Sequence, residues 1–532
     1  MQDKDALDRD NAQVTQAAGV VSMATLLSRI LGYVRDMVMA SFFGAGLASD
    51  AFIAAFRIPN LLRRLFGEGS LSIAFVPVFT ECLSRQGRAE AERLAVSALR
   101  LVTIGLSVVA AVGIALAPAI VHLVAYGFTG DPEKYALCVR LSRIMMPYIL
   151  FIGLVAMCMG ILNVLGQFAA PALAPSMLNI AMIGTVIIFA WLSPSQTTRA
   201  VGLALGVLIG GALQFGLQVP FLIKKGIRPW QSAPLWHPAM KQVMILMGPA
   251  VFGAAVYQIN SLVICLLGSL LPQGSITYLY YADRLVQFPL GMFAIAMSTA
   301  VLPTLSRQAA KAQWDALRST FSHAIRLILF ITLPCMTGLI ILRVPIVAML
   351  FQHGAFGDQA TRLTAGALLY YGVGLWAFSS VRILIYTFYA LKDTRTPVIM
   401  AITAIAANIF FGVVLMGPMQ HNGLALALSL ASMLHLVMLS VALRKKMGAL
   451  GWRKIARSVG KSGLCSVLMG LCVWCLAQWL IPVAGASRHV LIFDVGICML
   501  AGAIVFIVLA MVFRAPELEA VMQLIFKRTL PT

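Results

Sequence analysis

The sequence predicts an all-α polytopic membrane protein of about fourteen transmembrane helices, on three observations. Its 532 residues are 60% apolar and only 11% charged, with a mean hydropathy of +0.91, whereas soluble globular chains carry about 25% charged residues. Apolar runs of about 20 residues, enough to cross about 30 Å of hydrocarbon at 1.5 Å per residue, recur from end to end. No long polar segment remains from which a separate soluble domain could be built.

Residues 1–18, which include Asp3, Asp5, Asp8 and Asp10, lack the basic start of a cleavable signal peptide and read as a cytoplasmic tail. The first six spans are expected near 19–43, 50–80, 97–124, 137–163, 171–192 and 199–223. The next six fall near 244–270, 276–305, 319–351, 362–390, 396–417 and 423–443, and the last two near 460–481 and 489–513. Alternate loops hold most of the Lys and Arg, among them Arg85, Arg88, Lys224, Lys225, Arg307, Lys392, Lys445 and Lys446. Positive charge stays on the cytoplasmic side, so both termini are expected there. The formal charge of +21 is distributed as topology signals, which also favour contact with anionic lipids. Nucleic-acid binding is not expected, since no soluble module is left to carry it.

The chain also repeats itself. Pro77 in AFVPVFTECLSR answers to Pro303 in AVLPTLSR, and Pro171 to Pro397, both 226 positions on. APAIVHLVAYGFTGD at 117–131 answers to VPIVAMLFQHGAFGD at 344–358. Six helices per repeat predict an N-lobe (19–226) and a C-lobe (227–448) related by an axis along the membrane normal, with a site between them. Residues 449–532, with helices thirteen and fourteen, lie outside the repeat.

Charge within the spans marks the candidate site. Residues 28–85 hold Arg29, Arg35, Asp36, Asp50, Arg57, Arg63, Arg64 and Glu68 in otherwise apolar sequence. An ionised side chain at mid-membrane costs at least about 2.5–3.5 kcal/mol, so these must line a cavity or pair. Arg29 is expected roughly 15 Å from the inner face and Arg284, in YYADRL, roughly 14 Å from the outer one. Asp50, Arg57 and Arg64 recur every seven residues, with Glu68 four further on, giving one polar stripe. Pro59 and the Gly67-Glu68-Gly69 trio predict a kink or unwound turn there. Guanidinium stays charged and its planar fork matches phosphate oxygens, so the arginine excess predicts a phosphate or diphosphate ligand on Arg29, Arg35, Arg63, Arg64 and Arg284. Asp36, Asp50, Asp283 and Glu68 are expected to act as gates or charge partners. The bland alternative is internal pairing throughout: Arg35 with Asp36, Asp283 beside Arg284, Arg64 with Glu68. Arg57 is nearer the outer end, and Arg382 is a mid-span charge with no assigned role.

Other features read as packing. Gly202, Gly206 and Gly210 form a small-residue ladder for close helix contact. Cys472 and Cys475 make a formal CxxC inside an apolar helix, two small hydrophobes one turn apart. Asn260 and Asn408 suit packing hydrogen bonds, and His122 and His353 helix ends. The seven histidines show no metal spacing and no Gly-rich phosphate loop is present. No metal, no cofactor and no ATP hydrolysis are expected.

SRILGYVRD, then FGAG-x-x-SDAF, RIPNLLRRLFGEG, AFVP and the later YYADRL closely resemble the MurJ (MviN) family of bacterial lipid II flippases, over essentially the whole chain. The resemblance implies the multidrug/oligosaccharidyl-lipid/polysaccharide exporter superfamily, two lobes around a central cavity, and a groove for the lipid tail on helices thirteen and fourteen. It matches Arg29, Arg35, Arg63 and Arg284 to the family's cavity arginines, and Asp36, Asp50 and Glu68 to its acids. Some members place an acidic cation ligand in helix seven, where this sequence offers Asn260 and Ser261, so the coupling ion stays open. What is implied is a non-enzymatic, inner-membrane flippase that moves lipid II, an undecaprenyl-diphosphate-linked disaccharide pentapeptide, outward by alternating access, helped by the membrane potential. A flippase for another polyprenyl-diphosphate glycan is the nearest alternative. A multidrug antiporter would want acids rather than arginines at mid-depth, and a polyprenyl-phosphate transferase a long outer catalytic loop.

Overall fold

Hydrocarbon offers no water to backbone N–H and C=O groups, so an open membrane chain must satisfy them within helices. Every regular element among the described residues is helical. The computed structural model describes residues 2–65, 71–228, 230–231, 234–481 and 488–519, with side chains throughout these except at 2–18, 20, 71–73 and 249–257. Packing divides the chain into two units, Met1–Gly274 and Ser275–Thr532.

The first unit contains α1 (Gln2–Phe43), α2 (Leu47–Leu62), α3 (Leu71–Arg85), α4 (Arg88–Ala115), α5 (Ala117–Val124), α6 (Pro132–Met145), α7 (Tyr148–Val164), α8 (Ala169–Leu192), α9 (Gln196–Lys224) and α10 (Met240–Ser269). The expected N-terminal tail is thus helical backbone continuous with the first span. Helix seven of the sequence reading, α10, packs within this unit against α3, although the repeat assigns it to the second half. The buried cluster that organises this part runs through Phe75 and Phe79 of α3, Leu94 and Leu99 of α4, and Met157 and Ile161 of α7.

The second unit contains α11 (Ser275–Pro289), a π turn at Leu290–Ala294, α12 (Ile295–Ala310), α13 (Trp314–Ile341), α14 (Arg343–Phe351), α15 (Asp358–Val373), α16 (Leu375–Ala390), α17 (Arg395–Met419), α18 (His421–Met447), α19 (Trp452–Leu480) and α20 (Arg488–Val512). The two helices outside the repeat attach in series, α19 on α13 and α20 on α19. After α20 the chain turns back at Arg514 and buries Glu517, whose Oε1 accepts from Arg326 Nη1 of α13 at 2.6 Å. Lys461 Nζ of α19 donates to the Phe513 carbonyl at 3.0 Å. At the α16–α17 turn, Asp393 accepts from Lys446 and from the Thr396 N–H. Burial pushes its carboxyl up, but these bonds outweigh it and bring it from 3.8 down to about 2.

Among the described residues ten helices are long and apolar enough to cross a membrane, eleven if α15 and α16, bent by 43°, are one span. The chain is a multi-pass membrane protein. The difference from fourteen has a physical reason. Helices lie at the first, second and seventh expected places too, but α1 carries Arg29, Arg35 and Asp36 within eight residues and α2 stops at Leu62. In α10 only Gln258–Ser269 stands as a short apolar helix among the described side chains. Of these three, α1 is rich in charge and α2 ends in irregular backbone, while α10 carries only Lys241 and its side chains at 249–257 lie outside the described residues.

Helix boundaries recur at the sequence shift of 226–227. The α4–α5 break at Leu116 answers to the α13–α14 break at Leu342, and the α6–α7 break at Pro147 to the α15–α16 break at Gly374. The glycine ladder does what its spacing predicts. A Cβ on Gly206 would lie 2.1 Å from the Thr185 hydroxyl and 3.1 Å from the Met182 Cα of α8, so the two backbones touch. Gly202 and Gly210 are similarly closed by Phe189 and Leu178. We expect Gly206→Val to destabilise the protein by about 1–3 kcal/mol through overpacking, read as a lower thermal midpoint in detergent. Gly184→Ala on α8, with nothing within 4 Å of the added carbon, should not lower it.

Candidate functional site: charged side chains within the helices

Arg29 and Arg35 share α1 but not an environment. Arg29 is exposed and makes no ion pair among the described residues. Arg35 is 6% exposed and Asp36 1%. Its Nε and Nη2 both donate to Asp36 Oδ1, at 3.0 and 2.7 Å, and its Nη1 donates to Asn179 Oδ1 of α8 at 3.2 Å. Asn179 Nδ2 in turn donates to the Ser28 carbonyl at 3.2 Å. Asp36 is thus paired with Arg35, and the Arg35 fork is engaged in the α1–α8 contact rather than open to a ligand.

Ser49 and Asp50 are both good capping residues, yet α2 begins at Leu47 after Gly46. The Ser49 hydroxyl bonds back to Gly46, accepting from its N–H at 2.8 Å and donating to its carbonyl at 3.0 Å. This releases Asp50, one residue into the turn, for a different task. Its Oδ2 accepts from Lys134 Nζ at 2.9 Å and from the Gly274 N–H at 2.7 Å. Asp50 is 1% exposed and Lys134 6%, and the ammonium also lies 4.3 Å from the centre of the Phe128 ring. The starts of α2 and α6 and the turn after α10 are thus tied at one carboxylate. The sequence around Lys134 does not mark it as part of this tie. Its partner is 84 residues away, and the one local clue was its place three residues after the Asp131 cap of α6.

Farther along α2, Arg57 Nη1 donates to both the backbone carbonyl and the hydroxyl of Ser261 in α10, at 2.6 and 2.9 Å. Arg63 Nε donates to Asn60 Oδ1 at 3.0 Å, and Arg64 is exposed. Residues 63–65 form a π turn directly after α2, which still contains Pro59, so the helix is irregular where a break was expected. Such turns often accompany functional sites. Glu68 and its flanking glycines lie outside the described residues, and with them the expected Arg64–Glu68 pair.

In the second unit Arg284 is half-buried on α11. Its guanidinium carbon lies 5.4 Å from the Tyr280 ring centre, and its Nη2 donates to the Tyr280 hydroxyl at 3.3 Å. Asp283 accepts from Gln287 Nε2 at 3.4 Å. The sequence reading missed Tyr280 as a support for Arg284, although i−4 spacing on a helix was the available sign. Arg382 is half-buried in α16 with no ion pair among the described residues. Nor do the described residues gather three or more His, Cys, Asp or Glu side chains in a metal-holding group.

The model of the family described as "MurJ: Lipid II flippase MurJ" matches residues 39–492. The chain belongs to the MurJ family of lipid II flippases. Its relatives include a probable lipid II flippase of Vibrio cholerae, 39% identical over 431 residues, or 79% of this chain and 81% of that one. The Burkholderia cenocepacia lipid II flippase is 36% identical over 464 residues, 86% of this chain and 89% of its own. Among solved structures, a lipid II flippase in an inward closed conformation is 28% identical, with a TM-score of 0.75 over 93% of this chain and 98% of that one. An inward-facing multidrug resistance transporter, itself described as a member of the MOP superfamily, matches 81% of this chain and 98% of its own at 16% identity and a TM-score of 0.67, a likeness of fold. Members of the MurJ family are transporters rather than catalysts, and so is this chain.

Removing one partner of a buried ion pair leaves an uncompensated charge and costs about 3–5 kcal/mol. Lys134→Ala should therefore lower stability by about that much, seen as a large drop in thermal midpoint in detergent. The double variant Asp50→Asn with Lys134→Met should lose clearly less than the sum of the single changes.

Proposed function

We propose that this protein moves lipid II from the inner to the outer leaflet of the bacterial inner membrane, with both termini in the cytoplasm. The family match over residues 39–492 carries this reading, and likeness along nearly the full length of a solved flippase supports it. A diphosphate head group cannot cross hydrocarbon unaided, because an ion leaves water only at great expense in free energy. A protein-walled route with fixed cations removes that barrier.

Arg29, Arg63 and Arg284 are the residues we assign to the diphosphate, with Arg64 beside them. Arg29 and Arg64 are exposed, Arg63 lies in the π turn, and Arg284 is held by Tyr280. Arg35 is better suited to setting the α1–α8 contact than to meeting substrate, since its donors already face Asp36 and Asn179. Alternating exposure of a protein-walled cavity to the two faces of the membrane would carry the head group across. The polyprenyl tail would remain in lipid against α19 and α20. Outward movement of a negative head group gains about 2.3 kcal/mol per charge for each 100 mV of potential.

Two measurements test this. Depletion in cells should leave lipid II accessible only from the cytoplasmic face; its undiminished arrival outside, or trapping of a different polyprenyl-linked glycan instead, would refute the substrate assignment. Arg29→Ala, Arg63→Ala and Arg284→Ala should each insert normally and fail to sustain growth in place of the wild type. Full complementation by all three would remove the diphosphate role.

A further inference from the structure

We propose that Arg140 and Arg143 form a binding site for the phosphate of an anionic glycerophospholipid on the outer surface of α6, separate from the transport route. Both side chains are exposed, lie three residues apart on one face of the helix, and make no ion pair or hydrogen bond among the described residues. They border a cavity of about 600 Å³ whose walls include Pro118, Tyr135, Val139 and Ile144. The Tyr135 hydroxyl donates to the Pro118 carbonyl at 2.9 Å and fixes α5 against α6 there.

Depth selects the occupant. α6 and α7, which meet at the Pro147 break, together cover the 33 residues Pro132–Val164, up to about 50 Å of helix against about 30 Å of hydrocarbon. One end must stand in the head-group layer. Glu133, Lys134, Arg140 and Arg143 are all at the Pro132 end, while Met145–Val164 is uncharged and of the right length to fill the hydrocarbon. That places Arg143 about 3 Å and Arg140 about 8 Å beyond the hydrocarbon edge, level with lipid phosphates. Leu116, Leu123 and Tyr126 on the neighbouring segment are 52%, 73% and 52% exposed and add apolar surface there. Two open guanidinium forks beside a largely apolar cavity at phosphate level fit an anionic lipid in charge, geometry and position. Arginines that merely extend toward water need no such cavity.

The test is native mass spectrometry of the full chain in detergent, titrated with phosphatidylglycerol or phosphatidylcholine. The wild type should retain one phosphatidylglycerol in preference to phosphatidylcholine. Arg140→Gln with Arg143→Gln should weaken that retention about thirtyfold, the effect of losing two arginines at an anionic surface. Ala136→Trp, which fills the cavity and keeps both arginines, should also lose it. Equal retention by all three proteins, or no preference between the lipids, overturns the site. Displacement of the lipid by millimolar inorganic phosphate alone would assign it to free phosphate and overturn the lipid reading.

Discussion

A charge held inside a membrane-spanning helix has to find a counter-charge or water, and much of this structure follows from how that demand is met. Asp50 answers it by collecting an ammonium and a backbone N–H on one carboxylate oxygen. Arg35 and Asp36 answer it between adjacent residues, with Asn179 closing the arrangement across to α8. Arg57 turns to a carbonyl and a hydroxyl of α10. Each solution joins two elements that are far apart in sequence, so the same groups that are awkward in lipid become the fasteners of the first unit. What is left facing outward, Arg29 and Arg64, differs from these in exposure rather than in chemistry.

The broad plan was legible from the amino acids. Apolar length announced an all-helical membrane chain, and Gly202, Gly206 and Gly210 announced a close contact that α8 and α9 make. The π turn at 63–65 starts 227 positions before the one at Leu290–Ala294, one more than the 226 between Pro77 and Pro303. Sequence spacing reports such things because they are local or periodic.

Pairings over long separations were not legible. Nothing near Lys134 announces Asp50, and nothing near Asn179 announces Arg35. Ser49 and Asp50 are both good capping residues, yet neither is the N-cap of α2, and Asp50 serves a partner 84 residues away instead. Arg140 and Arg143 passed unremarked inside a predicted span, since a window of apolar residues hides two charges on one face. Within helix two the seven-residue stripe was correctly seen as polar, yet Asp50 and Arg57 turn out to serve different neighbours.

The buried contact between Glu517 and Arg326 has a mechanical meaning. It hooks the stretch after α20 onto α13, while α19 already lies along that same helix and Lys461 grips the Phe513 carbonyl. The appended pair is consequently fastened at its side and at its tail, like a fin riveted in two places. When α13 tilts, α19 and α20 must tilt with it, and the apolar face they present to the bilayer turns in step with the second unit.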